Sequence, residues 1–391
     1  MVIIRTAGER LLWNISRSVF EYCPFAMFRN VCYRLIGRLS VSRPFTMNQR
    51  HEIHCRKIVF NEFGDPTKVA RLVECSLPDR PDDQQVLVKM LLAPVNPSDI
   101  NTIQGVYPVK PPLPSTPGFE GIGEVLAVGS AVKNLVPGDR VVHTGAIGTW
   151  CTAGIFDSKK LRKVSKDIDM YALSGISSNP CTAYRMLHDF VSLNKDDVVI
   201  QNGANSACGQ NVIQLAKIFG FKTVNIIRSR PEPDLENLKN HLMSLGATNV
   251  LTQEELRTTE LFKNGTLPKP RLGLNNVGGK SATEILRTLD NGGVMVTYGG
   301  MSREPVIAPT TSFIFKDIQL RGFWMTRWHR ENANTEQQDK MYEALSQLMK
   351  ENKLVAPAHN TLPLESFQEV VQNTISSKGF IGFKYFLDLE K

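Results

Sequence analysis

The residues of this 391-residue chain best spaced for chemistry lie between Val198 and Arg230. Residues 202–209 read N-G-A-N-S-A-C-G, a turn of small residues after a short apolar run at 198–201. Val212, Leu215, Ala216 and Phe219 then recur at helical spacing, Gly220 breaks the helix, and residues 223–227 form a second apolar run. Such a turn lets the backbone approach a pyrophosphate, and the N–H groups at the helix start can bind it. The second strand ends where a carboxylate would hold the 2′-hydroxyl of NAD, but Arg228, Ser229 and Arg230 stand there. Two guanidiniums suit a 2′-phosphate, so the unit reads as a site for NADPH, a hydride carrier. Ser206 and Ala207 depart from the usual glycine pattern of the turn.

Cysteine and histidine offer less. Cys23, Cys32, Cys55, Cys75, Cys151, Cys181 and Cys208 form no C-x-x-C pair and no cluster at metal-ligand spacing. Their odd number and scatter fit free thiols in a reducing compartment, each a small buried side chain. The seven histidines are also scattered, with no H-E-x-x-H. The expected metal complement is therefore none.

A β-α-β unit needs a sheet around it. From about residue 170 the chain alternates helix and strand patterns. Leu245-Gly246-Ala247 closes a helix before Val250 and Leu251, and residues 275–279 (N-N-V-G-G) end another strand. Ile285, Leu286 and Leu289 stripe the next helix, and Gly299-Gly300 stops a strand at 293–298. Further strands are expected at 318–324 and 380–386, with a helix from Met341 to Met349. This alternation predicts right-handed crossovers and a doubly wound parallel sheet, which binds ligands beyond the carboxyl ends of its strands. Residues 56–145 differ. They carry short β-type runs at 57–60, 85–92 and 123–128, a proline-marked loop at 108–117, and a tight turn entering a strand at 136–141. This half reads as a partly open β-barrel in an α/β protein of about two domains.

Hydrophobic residues make up 42% and charged residues 21%, as in ordinary globular chains. No uncharged apolar run approaches the length of a membrane span. The net charge of +8 is uneven: residues 1–46 hold seven arginines and two acids, +5 in all, leaving +3 elsewhere. The basicity thus argues for the leader rather than for nucleic acid. Arginine-rich, acid-poor and interleaved with apolar residues, residues 1–48 have the pattern of a mitochondrial transit peptide. An extra N-terminal helix is the alternative, and Met47 offers a second start that would give a non-mitochondrial form.

Taken together, V-N-P-S-D at 95–99, P-G-F-E-G-I-G-E-V at 117–125, the 136–141 turn, residues 202–209, residues 276–279 and residues 296–301 resemble the medium-chain dehydrogenase/reductase superfamily. The resemblance covers nearly everything after residue 50. It implies a GroES-like barrel as catalytic domain, built discontinuously from 49–180 and 326–391, and a Rossmann-like NADPH-binding domain at 181–325. Zinc-dependent members carry a histidine where this chain has Phe119, and the structural-zinc cysteines are also absent. A phenyl ring has no lone pair for Zn²⁺.

Among the zinc-free members, the chain most resembles the trans-2-enoyl-thioester reductases. The residues that carry this are I-Q-G-V-Y at 103–107, N-P-C-T-A-Y at 179–184, R-S-R at 228–230, Y-G-G-M at 298–301 and F-W-M at 323–325. The resemblance implies Tyr107 as the catalytic residue. It implies NADPH contacts at Asn179, Asn205, Ser206, Ala207, Cys208, Arg228, Ser229, Arg230, Tyr298, Gly299, Gly300, Met301, Phe323, Trp324, Met325 and, as a weaker match, Lys384. At Ala207 the family usually has glycine. The implied reaction is NADPH-dependent reduction of an enoyl group on coenzyme A or acyl carrier protein, closing a round of mitochondrial fatty-acid elongation. The protein would be a homodimer in the mitochondrial matrix. A hydroxyl donor at Tyr107 would act where charge builds on the thioester oxygen.

Some readings stay open at this level. Trp324 is either a core aromatic at a strand end or a wall of the acyl pocket. Arg327, His329 and Arg330 either meet the carrier or form a solvated loop, which is the preferred reading. A quinone or alkenal reductase would share the fold, cofactor and lack of zinc. A catalytically silent NADPH-binding regulator is the reading from another class.

Overall fold

The computed structural model describes residues 52–145, 148–376 and 383–391. The arginine-rich leader, with Cys23 and Cys32, lies outside them, as do residues 380–382 of the expected tail strand.

Three sheets organise the described residues. The first is an antiparallel pair, β1 (Glu52–Phe60) and β2 (Ala70–Pro78). The second is built from β3 (Gln85–Pro94), β4 (Ile122–Val128), β5 (Arg140–His143), β6 (Ala153–Asp157), β7 (Leu161–Val164), β14 (His359–Pro363) and β15 (Lys384–Asp388). Its order is β14-β15-β3-β4-β5-β7, with β6 also paired to β3. β3 is buried almost throughout because it has partners along both edges. Its ladder with β4 shifts register between Leu87 and Val88 and between Met90 and Leu92. Such bulges bend a strand, as a curled sheet requires.

The third sheet is wholly parallel. It contains β8 (Val198–Asn202), β9 (Lys222–Ile227), β10 (Asn249–Thr252), β11 (Leu272–Asn275), β12 (Val294–Thr297) and β13 (Gln319–Gly322), ordered β10-β9-β8-β11-β12-β13. Numbered within this sheet the order is 3-2-1-4-5-6, the doubly wound arrangement, and its direction reverses between β8 and β11. All five residues of β8 are buried, as expected for a strand covered by helices on both faces.

The last strand of this sheet is shorter than the apolar pattern at 318–324 suggests. It stops at Gly322, and Trp324 instead precedes the helix Met325–Glu331. The tail strand starts at Lys384, and its partner β14 runs parallel to it. The short strands β6, β7 and β14 have too little alternation to announce themselves; long-range pairing makes them strands.

One apolar core joins the two larger sheets. Leu91, Leu92 and Ile122 meet Val199, Leu272 and Val296 there, with Met186 and Leu187 of the helix Asn179–Asp189 and Tyr342 and Leu345 of the helix Glu336–Lys350. Each fully buried leucine is worth roughly 2 kcal/mol of transfer free energy, so this shared core stabilises both sheets together.

The cysteines depart from the free-thiol expectation at one pair. The β1–β2 register places Cys55 opposite Cys75 at a Cα–Cα distance of 5.2 Å, and the two form a disulfide. Strand pairing brings together residues that sequence spacing left apart. Cys151, Cys181 and Cys208 are free and buried.

Candidate active site

A cleft of about 1360 Å³ runs along the carboxyl ends of the parallel strands and under the barrel. Its nucleotide end follows from local sequence. After β8 the chain turns through Gly203 to Ser206, whose Oγ accepts from the Gly209 N–H at 3.1 Å and caps the helix Ala207–Phe219. A Cβ on Gly209 would fall 2.6 Å from the Ala204 carbonyl oxygen, so only glycine permits this close packing. Ala207 is the first helical residue, where a methyl group costs nothing. The departure from the family pattern therefore leaves the turn intact.

Of the residues expected to hold the cofactor, Asn179, Asn205, Ser206, Ala207, Cys208, Arg228, Tyr298, Gly299, Gly300, Met301, Phe323, Trp324, Met325 and Lys384 line the cleft. Ser229 and Arg230 are not in its lining; Arg230 stands two residues beyond Arg228, which is. Burial, and then the Arg228 charge, press the Arg230 guanidinium below its usual range. Its buried Nη1 has no hydrogen-bond partner. A half-buried cation with an orphaned donor beside a second arginine fits a phosphate dianion. The residues present thus suit a 2′-phosphorylated dinucleotide.

Cys208 is no nucleophile, because burial pushes its thiol up to about 12. Burial likewise raises the Tyr298 phenol well above its usual value. Among the described residues no three histidine, cysteine or acidic side chains come together as metal ligands.

Tyr107 enters the cleft from the barrel side. The helix Pro97–Ile103 ends in a turn in which the N–H groups of Val106 and Tyr107 both donate to the Asn101 carbonyl, at 3.0 and 3.1 Å. Gly105, at φ +74°, makes that turn possible, since a Cβ there would meet the Phe63 side chain at 2.8 Å. The Tyr107 ring leans on Phe119 and meets Trp324 edge-on, with centroids at 5.6 and 6.0 Å. The Trp324 indole N–H donates to the Tyr107 oxygen at 2.7 Å, and Thr326 Oγ1 lies 3.3 Å from it. Trp324 is therefore not a core aromatic; it is half-buried, on the cleft wall, and holds the phenol.

Sequence reasoning did not single out Thr326, Asn96, Glu120, Ser177 or Ser178. The last four join Lys384 and Asp99 in a buried polar cluster. Glu120 accepts from Asn96 Nδ2 at 2.8 Å, Ser177 Oγ at 3.1 Å and Ser178 N at 2.7 Å. Lys384 Nζ donates to the Val95 carbonyl and to Asn96 Oδ1. Burial pushes the carboxyls of Asp99 and Glu120 up and the Lys384 ammonium down, while their mutual attraction opposes both shifts. Asn96 and Glu120 fall inside motifs that carry the family resemblance, but no local pattern distinguishes a buried carboxylate from a solvated one.

His329 corrects the solvated-loop expectation for 327–330. Arg327 and Arg330 are exposed, but His329 is 7% exposed, with Nε2 2.6 Å from the Ser177 carbonyl and Nδ1 3.2 Å from Gln338 Nε2. It sits on the inner face of the helix Met325–Glu331.

Comparison with known proteins agrees with this geometry. Residues 82–179 match the alcohol dehydrogenase GroES-like domain, and residues 207–347 match the zinc-binding dehydrogenase family. The mitochondrial enoyl-[acyl-carrier-protein] reductase of Xenopus tropicalis is 46% identical over 345 residues, 87% of this chain and 96% of that protein. The chain belongs to the mitochondrial enoyl-[acyl-carrier-protein] reductase family. The solved complex of Etr1p with NADP and crotonyl-CoA superposes on it with a TM-score of 0.79 at 32% identity, over 86% of this chain and all of that one. The Etr1p/Etr2p heterodimer from Candida tropicalis, a mitochondrial 2-enoyl thioester reductase, gives 0.78 at 32% identity and the same coverage. Similarity to a zinc-binding family model does not bring the ligands with it, since Phe119 occupies the place of the histidine.

Proposed function

We infer that this chain reduces trans-2-enoyl thioesters to saturated acyl thioesters with NADPH, as the reductive close of an elongation round in mitochondrial fatty-acid synthesis. The observation that carries the reading is the Tyr107 phenol, held by the Trp324 N–H in a cleft that also contains Arg228. When bound, NADPH supplies the hydride that adds to the β-carbon. Arg228, on the cleft wall, and Arg230 beside it would hold the 2′-phosphate, with Ser229 between them. The N-terminus of the helix Ala207–Phe219 would take the pyrophosphate.

The chain's own groups do the rest. Reduction drives negative charge onto the thioester oxygen, and the Tyr107 hydroxyl donates a hydrogen bond to it. The Trp324 N–H occupies a lone pair of the phenol oxygen, so the Tyr107 O–H must point elsewhere. Thr326 gives it a resting acceptor at 3.3 Å. The α-carbon proton comes from Tyr107 directly or through a water it orients. Phe119 and Trp324 give the Tyr107 ring aromatic neighbours, which lowers the local dielectric and strengthens these contacts.

The same reading divides the chain into a catalytic domain (49–180 and 326–391) and an NADPH-binding domain (181–325). Among the described residues no helix is long and apolar enough to cross a membrane. Two copies of the chain pair into a homodimer. The support is β13, an edge strand with all four residues exposed, beside Phe315 at 74% and Ile314 at 67% exposure. An open edge flanked by large apolar side chains suits pairing with its own copy.

NADPH oxidation with crotonyl, hexenoyl and decenoyl thioesters, with a quinone as control, tests the activity. Turnover of the quinone alone would overturn it. Light scattering at micromolar protein tests the dimer, and a monomer mass would remove it.

A further inference from the structure

Asn96 stands at the start of the helix whose far end carries Tyr107, and both ends of its amide are in use. Nδ2 donates to Glu120 Oε2, while Oδ1 accepts from Lys384 Nζ and, at 3.3 Å, from Asn179 Nδ2. Asn96, Glu120 and Lys384 are 4%, 1% and 9% exposed, which leaves little room for water to replace a missing partner. Hydrogen-bond chemistry allows one direction for this amide. Turned over, it would aim an NH₂ at the Lys384 ammonium, which cannot accept, and an oxygen at the Glu120 carboxylate, which cannot donate.

We propose that Glu120 is a positioning residue: its carboxylate fixes the Asn96 amide in the one orientation that holds Lys384 and Asn179 in the cofactor cleft. Every neighbour bonded to Glu120 is a donor, namely the Asn96 NH₂, the Ser177 hydroxyl and the Ser178 N–H. Only an acceptor-only side chain satisfies all three. A glutamine in its place keeps the shape but has one donating edge. If that edge meets Asn96, either two NH₂ groups face each other or the Asn96 amide turns and confronts Lys384 and Asn179. If it meets Ser178, donor again faces donor. The defect has a specific remedy. With aspartate at 96 and glutamine at 120, the glutamine NH₂ donates to the aspartate, the glutamine oxygen serves Ser177 and Ser178, and the aspartate serves Lys384 and Asn179. The cluster's net charge is unchanged by this exchange.

The inference rests on the NADPH-dependent reading above, and its test reads binding separately from turnover. NADPH affinity by fluorescence titration, with KM for NADPH and for crotonyl-CoA, is measured on the wild type, E120Q, N96D and the E120Q/N96D double variant. Each single variant should bind NADPH roughly tenfold or more weakly, with KM for crotonyl-CoA shifting by less than about threefold. The double variant should recover to within about threefold of the wild type. Wild-type affinity in E120Q, or a double variant no better than the worse single, overturns the proposal. If E120Q does not fold, a soluble NADPH-binding double variant supports the proposal and an insoluble one overturns it. A wild type that binds NADPH yet reduces no enoyl thioester sinks the reductase reading and leaves this comparison standing.

Discussion

The Trp324 indole N–H reaches the Tyr107 phenol oxygen at 2.7 Å across 217 residues of sequence. An indole nitrogen only donates, so the phenol must accept from it and keep its own hydrogen for another acceptor. The pair thus acts as one donor aimed into the cleft.

Tyr107→Phe should lower kcat with crotonyl-CoA by about 10²–10³-fold, as for loss of one oxyanion donor, while NADPH affinity stays within about twofold. Trp324→Phe should cost roughly tenfold in kcat, the effect of one hydrogen bond to the phenol. The double variant should be no slower than Tyr107→Phe, because the two residues serve one bond. Steady-state rates of all three decide the matter, and additive losses would separate their roles.

Arg228→Ala/Arg230→Ala should raise KM for NADPH roughly 100-fold and leave KM for NADH nearly unchanged, since only NADPH carries the 2′-phosphate. Initial rates at varied cofactor concentration provide the check. Equal penalties on both cofactors would place the arginines elsewhere in the site.

His143 is fully buried, and both ring nitrogens lack partners. Burial depresses its pKa from 6.5 to about 4. The unfolded chain therefore takes up this proton before the folded one does. The neutral histidine's contribution is complete above pH ~6.5 and is lost as the pH falls toward ~4, by about 3 kcal/mol in all. In His143→Phe, which keeps a ring against Phe156, the fall in Tm from pH 7 to pH 5 should shrink. An unchanged fall would assign the acid sensitivity to other groups, His329 among them, whose pKa burial also lowers to about 4.

Closing the Cys55–Cys75 bridge constrains a 20-residue separation, worth about 3 kcal/mol through the unfolded chain. The oxidised protein should melt several degrees above the reduced one, and Cys75→Ser should lose that difference. Peptide mapping without reductant should find the two cysteines linked; separate peptides would refute the bridge.

Much of the site was legible in the chain because it is local. The 202–209 turn, its flanking strand and helix, and Arg228 to Arg230 lie within one β-α-β unit, where periodicity and turn chemistry act over a few residues. Phe119 stands where the family resemblance implies the zinc histidine, and its ring has no lone pair to offer. Ala207, which departed from the family's glycine, falls at a helical position that accepts a methyl group.

The tertiary structure decided what lies far apart in sequence. Trp324 became the partner of Tyr107 instead of core, His329 turned inward instead of into a loop, and Cys55 met Cys75 through strand register. Asn96 and Lys384 are 288 residues apart, and Asn96 and Glu120 are 24 apart. Burial makes such pairings obligatory: away from water an unpaired donor or acceptor is costly and a made bond is stronger. Sequence alone determined which cofactor phosphate the arginines suit and that no zinc histidine stands at 119. Which buried groups face one another depended on how the barrel closes over the parallel sheet.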